Sequence, residues 1–322
     1  MLSISNLRNL IENELSKISY DNKVQNLYQP FEYVFSLEAK RMRPILLLLS
    51  HQLFDDNINK SIHLAIGVEM FHNFTLLHDD IMDEAILRRG KSTVHKKWNN
   101  NIAILSGDAM LVKAYQHICM TSKKNLFDIL DVFNQTAIAV CEGQQHDMDF
   151  EKSTDVTIND YIEMIRKKTA VLLAACLKMG AISAGASISN QEELYQFGIN
   201  IGIAFQLKDD LLDAFGDSKK FGKKQGGDII ANKKTYLYLK ALELANKNQK
   251  RELINLYNAK KHDEECKIMT VKKIFNELKI KDKTSDLILN YHELAMKNYS
   301  NINSTRKEIL LNFSKKLTER IS

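Results

Sequence analysis

Apolar residues recur every three or four positions along almost the whole chain, the spacing of one face of an α-helix. From Leu2 to about Ser19 the pattern is that of an amphipathic helix with a polar outer face. A short helix is predicted after Pro30, and a buried one within EAKRMRPILLLLSHQLF. Ser61–Met82 reads as a long apolar helix, and Ile102–Cys119 and Leu126–Phe150 as two more. The periodicity resumes over Ile158–Ala174 and Gln191–Phe215, and several amphipathic helices follow Lys233. Thr93–Asn101 is polar and reads as a loop, as does the Gly- and Lys-rich GDSKKFGKKQGGD.

Composition sharpens that picture. With 2 prolines and 12 glycines in 322 residues, the chain lacks the turn residues of a sheet-rich protein. Pro30 and Pro44 each fit the first turn of a helix. No linker interrupts the pattern, so the prediction is an all-α fold with a single domain over residues 1–322. The net charge of +5 is modest, and no dense basic run is interleaved with aromatics, which argues against nucleic acid as a partner. Cys119, Cys141, Cys176 and Cys266 lack metal or redox spacing and read as buried thiols of a reducing cytosol. Met1–Lys17 does not resemble a signal peptide. Ile45–Leu49 and Val171–Leu177 are too short to span a bilayer, so no membrane span and a cytoplasmic protein are expected.

Candidate chemistry centres on LLHDDIMDEAILRRG, which places Asp79, Asp80 and Asp83 on one helical turn, with Arg88 and Arg89 behind them. Like charges at that spacing are unfavourable, and the C-terminal end of a helix is the wrong end for them. A hard divalent cation would neutralise the cluster. The pattern returns about 130 residues later at Asp209, Asp210 and Asp213. Lys40, Arg41 and Arg43 stand directly before a helix, where cations oppose the dipole. Either they have an anionic partner or they occupy a solvated loop. His72 lies two turns before Asp79 on roughly the same face, as a ligand-binding side chain or a satisfied core histidine. Lys168 and Thr169 precede an apolar helix face.

These motifs together resemble the trans-type isoprenyl diphosphate synthases, over about Glu38 to Tyr236. The likeness rests on KRMRP, DDIMDEAILRRGK, GQQHD, KKTA, FQLKDDLLD and GKKQGGDIIANKKT, in order. Glu38-Ala39 stand where the family often has Gly-Gly. The resemblance implies one bundle of long helices around a deep central cavity, and a homodimer. It implies condensation of isopentenyl diphosphate with an allylic diphosphate (dimethylallyl, geranyl or farnesyl), assisted by Mg²⁺, expected as three ions with bound diphosphate. By the same comparison Asp79, Asp83 and Asp209 hold metal, and Asp80, Asp210 and Asp213 add ligands or orient metal-bound water. Arg88, Lys168, Lys223 and Lys233 would contact the allylic diphosphate. Lys40, Arg43, Arg89 and His72 would hold isopentenyl diphosphate. Thr169 and Gln206 would offer uncharged oxygens to the cation. No protein base is implied, because the released diphosphate takes the final proton. The Lys-rich loop Ser218–Gly227 is expected to close over substrate.

In such enzymes the residues just upstream of the first aspartate cluster form the cavity floor. Phe74, with Thr75 rather than a second aromatic after it and no insertion between Asp80 and Asp83, resembles synthases of C20 product. Phe71 would narrow the tunnel further. Geranylgeranyl diphosphate is therefore the expected product and farnesyl diphosphate the alternative. A class I terpene cyclase would have an Asn/Ser/Glu second motif, and a metal-dependent phosphohydrolase more spaced histidines. A non-catalytic subunit would be expected to lose an aspartate cluster.

Overall fold

The computed structural model describes residues 1–20, 22–216, 226–258 and 263–318. The described residues are almost entirely helical, as the periodicity predicts, and they gather into two compact units. One comprises Met1–Gln135, Ala175–Tyr195 and Ile302–Leu310, and the other Thr136–Ala174, Gln196–Asn301 and Leu311–Ser322. Among the described residues no helix is long and apolar enough to cross a membrane.

The first unit begins with α1 (Ile4–Ser16), α2 (Gln25–Ser36), α3 (Met42–Gln52) and α4 (Ile62–Met82). A two-stranded hairpin follows, β1 (Leu87–Arg88) against β2 (Lys91–Ser92), then α5 (Val94–Lys97), α6 (Asn100–Ile118) and the start of α7 (Leu126–Lys152). The run from Pro44 to Gln52 is buried on every side. α4 is buried continuously from Leu64 to Phe71, so it serves as the unit's axis. Gly67 of α4 lets α6 approach, since a Cβ there would lie 2.9 Å from the Ala114 carbonyl oxygen. Gly180, in α9 (Val171–Ser183), does the same against the Leu47 carbonyl at 2.2 Å.

Two expectations are corrected in this unit, and a third, on the cysteines, across both units. Pro30 sits inside α2, beyond its first turn, where it cannot donate to the preceding turn. The packed rings of Tyr20, Tyr28 and Phe31 hold the helix there, with centroids 5.3–5.5 Å apart. Thr93–Asn101 is not a loop, because its polar residues end and begin helices. Thr93 precedes α5 and donates its hydroxyl to the Ala85 carbonyl at 2.7 Å, and the Asn99 side chain caps α6 at Ile102 N–H. Cys119, Cys141 and Cys266 are exposed and only Cys176 is buried, since the other three fall on outward positions.

The second unit is built on the rest of α7, α8 (Ile158–Ile165), the first residues of α9, and most of α10 (Ile188–Phe215). Short and medium helices follow at Gly227–Ile230, Tyr236–Leu244, Lys247–Asn258, Glu264–Glu277 and Ile280–Asn301. The periodicity predicted one helix across Ile158–Ala174, but the structure inserts a π turn at Arg166–Ala170. Its signature is the Val171 N–H donating to the carbonyl of Arg166, five residues back.

Candidate active site

In the first unit the chemistry collects at the C-terminal half of α4 and the hairpin after it. Asp83 ends α4, its N–H donating to the Asp79 carbonyl at 2.8 Å. Asp79 is half-buried, Asp80 buried and Asp83 exposed, so the three predicted ligands occupy different environments. The chain then turns back through Arg89 and Gly90, with φ of 54° and 73°, the backbone of a tight two-residue hairpin. That reversal brings Arg88 onto Asp80, with Nε at 2.9 Å and Nη2 at 2.5 Å from Oδ1. Burial raises the Asp80 carboxyl above its usual range, and Arg88 opposes that rise.

Two further predicted residues also meet. Arg43 Nη1 lies 2.9 Å from His72 Nε2. Burial, then Arg43 and Arg89, hold the imidazole well below its usual pKa, so it is neutral and accepts the guanidinium N–H. Among the described residues Arg43 Nε is buried without a partner, and no carboxylate pairs with Arg43 or Arg89. Arg41 is different. It starts α3 with φ of 48° and is consumed internally by Glu69 at 2.7 Å, Glu12 at 2.8 Å and the Phe35 carbonyl. The anionic partner expected for the Lys40–Arg43 cluster is thus built in for Arg41, whereas Arg43 pairs with the neutral His72. Lys40 is exposed. Upstream, Phe71 is fully buried against Phe133 (5.1 Å) and Phe74 (5.7 Å), and Phe74 packs on His78 at 4.8 Å. Thr75 is half-buried, its hydroxyl donating to the His72 carbonyl at 2.8 Å.

In the second unit one pocket gathers Lys168, Thr169, Gln206, Asp210 and Lys233. The π turn presents Lys168 and Thr169, and two glycines let neighbouring helices close on it. A Cβ on Gly143 of α7 would lie 2.3 Å from Lys168 N, and one on Gly202 of α10 would lie 2.5 Å from Ala170 Cα. Gly143→Ala is therefore expected to displace the π turn, costing about 1–3 kcal/mol of stability. Turnover should fall further than stability accounts for, which thermal unfolding and an activity assay on the same sample would separate.

Asp147 receives Lys168 at 2.5 Å and Lys233 at 3.4 Å. Burial opposes its charge, but the two lysines outweigh burial and hold its carboxyl below the usual range. Both lysines thus converge on one carboxylate. Lys234 instead caps α7, donating to the carbonyls of Phe150 (2.7 Å) and Ser153. Asp210 accepts from Tyr161 and, at 3.0 Å, from Gln206. Burial and then Asp228 push it well above the carboxylate range. Asp213 accepts the N–H of Asp228 at 2.9 Å and, through its carbonyl, that of Gly226, fixing the turn at Gly226 (φ 80°). Asp209 is exposed. Lys223, and residues 218–225 of the loop expected to close, lie outside the described residues.

Sequence reasoning did not single out Asp147, Asp228 or Tyr161. Asp147 and Asp228 close the GQQHD and QGGD motifs, which is the signal that could have found them. Tyr161 precedes Lys168 by two turns, a spacing that points to a shared face. The donors of both acidic clusters are carboxylate oxygens, which fit Mg²⁺. Among the described residues no three His, Cys, Asp or Glu side chains converge to hold a metal ion alone. Mg²⁺ suits such sparse sites, because it keeps water or phosphate oxygens in its shell.

Residues 24–278 match the polyprenyl synthetase family. The chain belongs to that family. A short chain isoprenyl diphosphate synthase of Methanocaldococcus jannaschii is 38% identical over 83% of this chain and 81% of its own length. A geranylgeranyl diphosphate synthase of Sulfolobus acidocaldarius is 33% identical over 91% of this chain and 89% of its own. A crystal structure of a geranylgeranyl pyrophosphate synthase superposes with a TM-score of 0.95 at 44% identity, covering 100% of both chains. The chain is accordingly an all-α short-chain trans-prenyltransferase, acting on isoprenoid diphosphates in a family that uses Mg²⁺.

Proposed function

We propose that the enzyme condenses isopentenyl diphosphate with an allylic diphosphate and releases geranylgeranyl diphosphate, a C20 product. What carries this reading is the pocket in which Lys168 and Lys233 share Asp147 while Thr169 and Gln206 offer neutral oxygens. One end suits a departing diphosphate and the other the allylic cation it leaves behind. Asp79, Asp83 and Asp209 would hold Mg²⁺, expected as three ions with bound diphosphate, and the metal would supply positive charge to the leaving group. The allylic C–O bond breaks with its electron pair going to diphosphate. The double bond of isopentenyl diphosphate then forms the new C–C bond, and the proton lost goes to diphosphate.

Lys168, Lys233 and Lys223 meet the allylic diphosphate, as does Arg88, which Asp80 orients. Arg43 and Arg89 supply fork-shaped donors for isopentenyl diphosphate beside neutral His72, with Lys40 as a further cation. Asp213 acts by holding the Gly226–Asp228 turn. The enzyme works as a homodimer in the cytoplasm, and sedimentation at the mass of one 37.0-kDa chain would contradict the dimer.

Product length is assigned to Phe74, with Phe71 behind it and Thr75 beside it. Phe74→Ala removes a ring that packs on His78 and Phe71 and is expected to lengthen the product beyond C20. Chromatography of the chain-length distribution reads this directly. An unchanged product would remove Phe74 from the floor.

A further inference from the structure

Four side chains of the Lys168 pocket form an unbroken chain of hydrogen bonds. Thr169 Oγ1 donates to Gln206 Oε1 at 3.0 Å, Gln206 Nε2 donates to Asp210 Oδ1 at 3.0 Å, and the Tyr161 hydroxyl donates to Asp210 Oδ2. Tyr161 and Asp210 are 2% and 6% exposed.

The direction of that chain is dictated at its buried end. A carboxylate oxygen accepts and does not donate, so Asp210 takes the amide nitrogen of Gln206. The Gln206 carbonyl is then the end left for Thr169, and Thr169 must donate to it. A hydroxyl has one proton. Once that proton is spent on Gln206, only lone pairs of Thr169 Oγ1 remain to face the pocket. A proton shared between Tyr161 and Oδ2 still leaves Oδ1 an acceptor, so the polarity is the same in either form. The π turn contributes as well. Residues eight apart in an α-helix point about 80° away from each other. The wider turn at Arg166–Ala170 swings Thr169 back to the side of Tyr161, and both line the pocket.

We propose that Tyr161 and Asp210 are positioning residues that fix the hydrogen-bond polarity of Gln206 and Thr169, turning oxygen lone pairs toward the developing allylic cation. This rests on the prenyl-transfer reading above. An O–H directed at that cation would oppose it, whereas a fixed oxygen dipole stabilises it without reorganising at the moment of reaction. Asp210 on this account serves through Gln206 rather than as a metal ligand.

The test is a double-mutant cycle on the single-turnover rate, with geranyl and isopentenyl diphosphates at saturating Mg²⁺. Tyr161→Phe is expected to slow the step about tenfold, the loss of one hydrogen bond to a charged group. Both KM values and the Mg²⁺ half-saturation stay unchanged. In a Thr169→Val background the same change should cost less than about twofold, because the group it orients is gone. A Thr169→Ser background, which keeps the hydroxyl, should restore the full effect. Equal losses in all backgrounds would reduce Tyr161 to packing, and a raised Mg²⁺ half-saturation would make Asp210 a ligand; either overturns the proposal. If circular dichroism shows Tyr161→Phe unfolded, Asp210→Asn of the same shape carries the same cycle. A wild type that forms no condensation product contradicts the prenyl-transfer reading, whereas an active wild type with additive losses contradicts the relay alone.

Discussion

Replacing Asp79 by Asn is expected to lower turnover about 10²- to 10³-fold, the scale of removing one group that meets developing transition-state charge. The substitution keeps the size and polarity of the side chain and removes only its charge. The hydrogen bond that ends α4 uses the Asp79 backbone carbonyl, so it survives the change. Asp80 cannot take over, because Arg88 already holds its Oδ1. Asp83 is exposed beyond the last turn and cannot supply the missing charge from the same position. Steady-state assays across a Mg²⁺ series would show the half-saturation rise along with the loss of turnover. Wild-type turnover at ordinary Mg²⁺ would remove Asp79 from the metal site.

Glu69→Gln is expected to act on stability instead, by about 3–5 kcal/mol, the cost of breaking a buried ion pair from one side. Glu69 is 1% exposed and Arg41 2%, so the guanidinium left behind has little water to turn to. Glu12 still holds Arg41 at 2.8 Å, which places the loss toward the lower end of that range. Gln Oε1 can still accept from Asn73, but the nearby Arg43 and Arg89 lose the field of the Glu69 carboxylate. Urea unfolding measures the change. A loss under about 1 kcal/mol would mean that Glu12 alone satisfies Arg41.

How much of this was legible in the sequence depended on whether the feature was periodic. α4 was readable almost to the residue because apolar positions repeat through Ile62–Met82 and stop at the aspartates. The π turn was not, since RKKTA carries no change of period, and the close approach of Gly143 and Gly202 to it comes from residues distant in the chain. Pro30 was misplaced because its helix begins at Gln25, ahead of the proline, and the neighbouring rings of Tyr28 and Phe31 pack on Tyr20 from outside that helix.

At the site, the sequence located every acidic residue of the two motifs but could not rank them. Asp80 and Asp79 are neighbours in the chain, yet a hairpin eight residues on binds one and not the other through Arg88. Likewise Asp210 is distinguished from Asp209 by Tyr161, which sits 49 residues away. Such partners are fixed by tertiary packing, to which neither spacing nor composition responds.

The most direct measurement is a chain-elongation assay with labelled isopentenyl diphosphate, trying dimethylallyl, geranyl and farnesyl diphosphates in turn, with and without Mg²⁺. The account predicts Mg²⁺-dependent condensation that stops at C20. A C15 stop would keep the enzyme class and move the floor nearer the aspartates, and a product beyond C20 would discard Phe74 as the floor. No condensation with any starter would contradict the account at its centre.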